Sequence, residues 1–148
     1  MPSRYEVDQY INRIRNASTS ERRSCGYQAA SAIYDAFRRQ TDGKDASNLL
    51  YTVAAYFLFQ SGEDSLSDAA YDFLRGAYGV GTSKETFINS LNNHWGEADY
   101  NHMMSLLRNF KNDEIDAVID LAACIYCCDG DITSGERAVI YGLFGINA

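Results

Sequence analysis

Apolar residues recur along this chain at mixed three- and four-residue spacings, the period of amphipathic helices. Residues 4–15 carry Tyr5, Tyr10, Ile11 and Ile14 in that pattern, and residues 20–39 carry a stripe of Ala29, Ala30, Ile33, Tyr34 and Phe37. Ser18 stands three residues before Glu21, a capping-box signature for the start of the second helix. Gly43 reads as a stop, with Asp45 or Ser47 as the next cap. Residues 48–59, "NLLYTVAAYFLF", are apolar nearly all round, so they predict a central, buried helix. Further helices are predicted over 66–78, 82–95, 97–110, 112–128 and 134–146. Thr82 or Ser83 is the expected cap of the 82–95 segment, after the stop at Gly79 and Gly81. No two segments read as paired strands. The expected fold is all-α, a compact bundle of about seven to eight helices with short loops.

Two stretches of this pattern resemble each other. Residues 49–80 and 117–146 each read as a buried helix, an acidic turn and a second helix. Ala54-Ala55 aligns with Ala122-Ala123 and Gly62 with Gly130; allowing two extra loop residues in the first copy, Leu66 aligns with Ile132, Phe73-Leu74 with Val139-Ile140, and Gly76 with Gly142. Tyr78-Gly79-Val80 then aligns with Phe144-Gly145-Ile146. A helix pair alone leaves an apolar face uncovered, so a duplicated pair favours a compact bundle.

Composition narrows the class. At 148 residues the chain is expected to form one domain, 1–148, long enough to bury a core without staples. Its single proline is Pro2, so nothing interrupts long helices. No apolar run reaches the roughly 18–20 residues of a membrane span, and the N-terminus lacks a signal-like apolar region. The four cysteines are Cys25, Cys124, Cys127 and Cys128; three crowd one segment, which is not a disulfide framework and suggests a reducing cytoplasm. Net charge is −7, unevenly spread: residues 1–44 hold eight basic against five acidic residues, and the rest five against fifteen. This asymmetry implies either a partner surface or an internal complement. The acidic majority argues against general nucleic-acid binding, which needs a basic footprint.

The densest chemistry lies in "CCDGDITSGE", residues 127–136. Read as an EF-hand, Asp129, Gly130, Ile132 and Glu136 would fill positions 5, 6, 8 and 12. Positions 1 and 3 would be Ile125 and Cys127, so the main carboxylate of that loop is missing. Capping explains part of the stretch: Thr133 and Glu136 form a capping box, and Asp129 and Asp131 precede a helix N-terminus. Three carboxylates in eight residues still repel one another, and a hard divalent cation would relieve that. The candidate ligands are Asp129, Asp131, Thr133 and Glu136, with calcium or magnesium as the ion. Asp113, Asp116 and Asp120 share a helix face at least one turn below.

An Ala-rich helix running into "DGDITSGE" and then an apolar helix resembles the TerB-like domains, named for a bacterial tellurite-resistance protein. Asp129, Gly130, Ile132 and Glu136 match their A-x-A-D-G-x-I-x-x-x-E hallmark, with Asp131 at a position often acidic there. The likeness covers roughly 47–146; residues 1–44 form a basic helical extension. It implies an all-α bundle of two similar units, a non-enzymatic role in stress response, a candidate metal site, and protein partners at a membrane-associated complex. The chain departs from that pattern where Cys127-Cys128 replace small residues and where the first copy has lost its Asp-Gly.

Other constellations read as structural. Cys124, Cys127 and Cys128 lie near a helix C-terminus, where the dipole raises a thiol pKa, so they are expected as small buried groups. His94 and His102 have no nucleophile placed near them. Arg22-Arg23 and Arg38-Arg39 are expected in solvent or docked on the chain's own acids. Two alternatives to an interaction module stand: a structural adaptor without metal, and a metal-dependent enzyme on the acidic face, which needs a cleft lined by Asp116 or Asp120.

Overall fold

The computed structural model describes residues 2–62, 66–128 and 130–146. Eight α-helices run through them: α1 Arg4–Arg15, α2 Thr19–Thr41, α3 Ala46–Gln60, α4 Asp68–Tyr78, α5 Lys84–Asn93, α6 Glu97–Leu107, α7 Asn112–Tyr126 and α8 Ser134–Leu143. No strand occurs among the described residues. None of these helices is long and apolar enough to cross a membrane.

Local chemistry sets the starts. Ser3, Ser18 and Thr133 each accept the N–H three residues on, and Glu6, Glu21 and Glu136 each return to the cap residue's own N–H. Ser67 and Ser83 cap α4 and α5 with their hydroxyls. Of the paired expectations, Ser83 rather than Thr82 is the cap of α5. Asp45 occupies the α3 cap position, with no side-chain bond to it.

The ends fall short of the apolar pattern. α5 stops at Asn93, α6 at Leu107, α7 at Tyr126 and α8 at Leu143, two to three residues before the predicted limits. At α8 the cause is Gly145, at φ 69. Its N–H donates to the Gly142 carbonyl at 3.2 Å, and the Ile146 N–H to Tyr141 at 2.9 Å. A left-handed glycine of this kind satisfies the last carbonyls while reversing the chain.

Gly79 does the same after α4, at φ 65, with Gly79 and Val80 N–H groups donating to Gly76 and Arg75. The two stretches that repeat in sequence therefore repeat in local geometry, with caps at Ser67 and Thr133 and left-handed glycines at Gly79 and Gly145 all in register. The packing is reciprocal too: α3 lies against α8, and α4 against α7.

One buried cluster draws side chains from all eight helices. α3 is buried as its composition predicts, and α7 equally so, from Ile115 through Tyr126 apart from half-buried Asp116. α2 packs along α7 and also touches α3 and α4. Gly26 permits that approach. A Cβ there would stand 2.4 Å from the Phe73 ring and 3.2 Å from the Cys124 sulfur. α1 crosses α7, burying Val7, Ile11 and Ile14. Each such side chain contributes about 1.5–3 kcal/mol of burial.

Candidate functional site

The turn between α7 and α8 is held by the N-terminal helices. Its first anchor is Arg22 on α2. The guanidinium donates to the carbonyls of Ile14 (3.2 Å), Arg15 (3.3 Å) and Ala17 (3.3 Å) at the end of α1, and of Cys127 (3.1 Å) at the end of α7. A cation at two helix C-termini satisfies orphan carbonyls and opposes both dipoles. The Cys127 carbonyl, just past the last residue of α7, is satisfied by Arg22 in place of a further helical turn. The second anchor is Arg15 at the end of α1, whose Nε lies 2.8 Å from Asp131 Oδ1.

Within the turn, Asp131 Oδ1 also accepts the Ile132 N–H at 2.9 Å. Glu136 Oε1 accepts the Thr133 N–H at 2.9 Å, and Thr133 Oγ1 accepts the Glu136 N–H at 3.1 Å. So Asp131 is an ion-pair partner, and Thr133 and Glu136 form the expected cap. Asp129 lies outside the described residues. Asp131, Thr133 and Glu136 nonetheless line one cavity of about 190 Å³, with Gly130, Leu58, Ala70, Ile125 and Tyr126 as its other walls. Among the described residues, no group of three or more His, Cys, Asp or Glu side chains is gathered to hold one ion.

Much of the acidic face of α7 is paired with the N-terminal helices. Arg13 on α1 meets both oxygens of Asp120, at 2.9 and 2.8 Å. Tyr10 on α1 donates its hydroxyl to Asp116 at 2.8 Å. Arg39 on α2 meets both oxygens of Glu114, at 2.6 and 2.9 Å. Asp113 remains exposed and accepts the Glu114 N–H. On the other side of α1, Asp8 bonds Arg137 at 3.0 Å and accepts the Tyr141 hydroxyl of α8. Of the two origins proposed for the charge asymmetry, these contacts provide the internal complement: the basic N-terminal helices neutralise the acids of the later ones.

The electrostatics follow from burial. The Asp120 carboxyl is pushed above its ordinary value by burial, even with Arg13 against it. Glu114 is held below the usual range, chiefly by its hydrogen bonds from Arg39. Burial raises the thiols of Cys25, Cys124 and Cys127, Cys124 furthest. Protonated thiols are poor nucleophiles and poor ligands. Cys124 and Cys127 are buried and Cys128 half-buried, as the reading of small packed thiols expects. His94 stacks on Tyr51 at 5.9 Å between ring centroids, and His102 lies 3.7 Å from Asp45.

Sequence reasoning found the cap and the acidic turn but missed Arg15 and Arg22 as the groups that hold it. Nothing local announces them, since Arg22 and Cys127 are 105 residues apart. The basic excess of residues 1–44 was the available signal. A concavity of about 650 Å³ lies elsewhere, between the N-terminus of α1 and the α6–α7 junction, and Asp116 lines it. Compared with known protein families, curated proteins and solved structures, the chain matches none.

Proposed function

We propose that this chain is a non-enzymatic, TerB-like helical module of the cytoplasm. Its role would be to bind other proteins in a stress response at a membrane-associated complex, and its 129–136 turn takes a calcium or magnesium ion. The observation that carries the cation reading is the convergence of Asp131, Thr133 and Glu136 on one small cavity. Both bonds of Asp131 fall on Oδ1, and Glu136 uses Oε1. Among the described residues, no hydrogen bond falls on the second oxygen of either carboxylate, and a hard cation seeks oxygen ligands. Arg15 is the resident competitor. The interaction reading is supported by how the other charges are used. Arg13, Arg15, Arg22, Arg23 and Arg39 bind the chain's own acids and carbonyls, which suits a rigid scaffold that presents surfaces.

Titration of calcium and of magnesium against melting temperature tests the cation. An ion at ten times its Kd stabilises by about 1.4 kcal/mol, or about 3–6 °C for a chain of this size. Asp131→Asn should abolish the shift and Arg15→Ala should enlarge it. No shift at millimolar ion would retire the metal and leave the adaptor without one. The alternative of a metal-dependent enzyme is favoured by a single observation, the presence of Asp116 in the cleft between α1 and the α6–α7 junction.

A further inference from the structure

The cleft between α1 and the α6–α7 junction has mixed walls. Pro2 and Glu6 come from the start of α1, Leu107 and Arg108 from the end of α6, and Phe110 from the loop that follows. Asn112, Ile115 and Asp116 come from the first turns of α7. Leu107 and Ile115 are buried, Phe110 is half-buried and packs on Phe37 at 5.1 Å, and Glu6 and Arg108 are exposed at the rim. The result is a mainly polar cleft with an apolar floor at Leu107, Phe110 and Ile115 and carboxylates on two sides.

Asp116 differs from the acids around it. Asp8, Glu114 and Asp120 are also at least half-buried, and each meets an arginine: Arg137, Arg39 and Arg13. Among the described residues, Asp116 meets the Tyr10 hydroxyl, through Oδ2, and no arginine. Among the described residues, its Oδ1 and the apolar floor beside it are therefore left in the arrangement that the chain elsewhere fills with its own arginine. A guanidinium suits such a place, since its planar fork matches a carboxylate and its alkyl stem packs on apolar walls.

We propose that this cleft receives an arginine side chain from a partner protein, the guanidinium meeting Asp116 and Glu6 and the stem lying on Leu107, Phe110 and Ile115. The inference rests on the reading of the chain as an interaction module and names the chemistry of its partner. The overall charge of −7 favours approach of a basic segment. Arg108 at the rim opposes it, which provides a test of opposite sign. The cleft shares no residue with the 129–136 turn, so failure here leaves the cation titration standing, and the reverse.

The test uses the full chain and an acetylated, amidated peptide holding one arginine between leucines, with the same peptide carrying citrulline as the neutral isostere. Calorimetry measures affinity, and the amide resonances of Leu107, Phe110 and Ile115, with the methyls of Leu107 and Ile115, locate the peptide. Citrulline should weaken binding about tenfold, the loss of one charge-assisted pair. Asp116→Asn should weaken the arginine peptide to a similar degree, while its amide oxygen keeps the Tyr10 bond and the fold. Arg108→Ala should strengthen binding. Equal affinity for the two peptides, equal affinity of wild type and Asp116→Asn, shifts confined to other residues, or no binding at about 1 mM peptide would each overturn the proposal. So would free arginine binding as tightly as the peptide, because the leucines would then add nothing.

Discussion

Replacing Gly26 by alanine tests whether close helix approach organises this fold. In an exposed helix the change would stabilise by about 1 kcal/mol, because glycine carries a larger entropy cost. In α2 the new Cβ would meet the Phe73 ring at 2.4 and 2.5 Å and the Cys124 sulfur at 3.2 Å. Ordinary contact begins near 3.4 Å, so the ring must retreat by about 1 Å. Phe73 is only 3 % exposed and packs on Tyr27, at 6.0 Å between ring centroids, so the retreat disturbs the α2–α4–α7 junction. Overpacking of this kind costs about 1–3 kcal/mol. The expected net effect is destabilisation by up to about 2 kcal/mol, or a fall of several degrees in Tm.

The sign should reverse when the ring is shortened. In a Phe73→Leu background, Gly26→Ala should gain most of the propensity term. Thermal and urea unfolding of the four variants, followed by circular dichroism, provide the cycle, with a coupling of about 1–3 kcal/mol expected. Stabilisation by Gly26→Ala in the otherwise wild-type chain, or a coupling near zero, would refute the packing argument.

Arg22→Met should remove the clamp across the ends of α1 and α7 and destabilise by about 1–3 kcal/mol, with faster amide exchange at Arg15–Ala17 and at Cys127–Cys128. The Arg39–Glu114 and Arg13–Asp120 pairs should respond to pH with opposite signs. Glu114 is held below its ordinary value, so its contribution is present above about pH 4.3 and is lost as pH falls through the lowered value. Arg39→Gln should therefore flatten the acid limb of the stability curve. Asp120 is held above its ordinary value, so its contribution is present below about pH 4 and is lost as pH rises through the raised value. The stability of Asp120→Asn relative to wild type should accordingly improve from about pH 4 upward, read from urea midpoints across that range.

Much of the local structure was legible because its causes are local. Ser18 with Glu21 and Thr133 with Glu136 are capping boxes written within four residues, and both form. The period of Ala29, Ile33 and Phe37 needs no distant partner to be recognised. The aligned glycines Gly79 and Gly145 carry their conformation with them, since only glycine enters the left-handed region freely. Helix ends were less legible. α7 extends on paper to Cys128, because Cys127 and Cys128 continue its apolar run; the helix ends at Tyr126, and a guanidinium from α2 takes the Cys127 carbonyl.

The candidate site divides along the same line. The residue types of the 129–136 turn were plain, and the cap within it followed from spacing. Whether its carboxylates are open to an ion depends on Arg15, more than a hundred residues away in the chain. The acidic face of α7 looked like a surface because Asp113, Asp116 and Asp120 share a helix side. Folding lays Tyr10 and Arg13 over two of them and leaves Asp113 in solvent.

The sequence by itself determined that the chain is helical, where most helices begin, and that two of its stretches share one pattern. These are consequences of backbone geometry and side-chain period, which act over a few residues. Only the tertiary structure decided which charges are spent on the fold and which remain for a partner. Burial and pairing depend on what lies across an interface, and the residues that meet there are far apart in the chain.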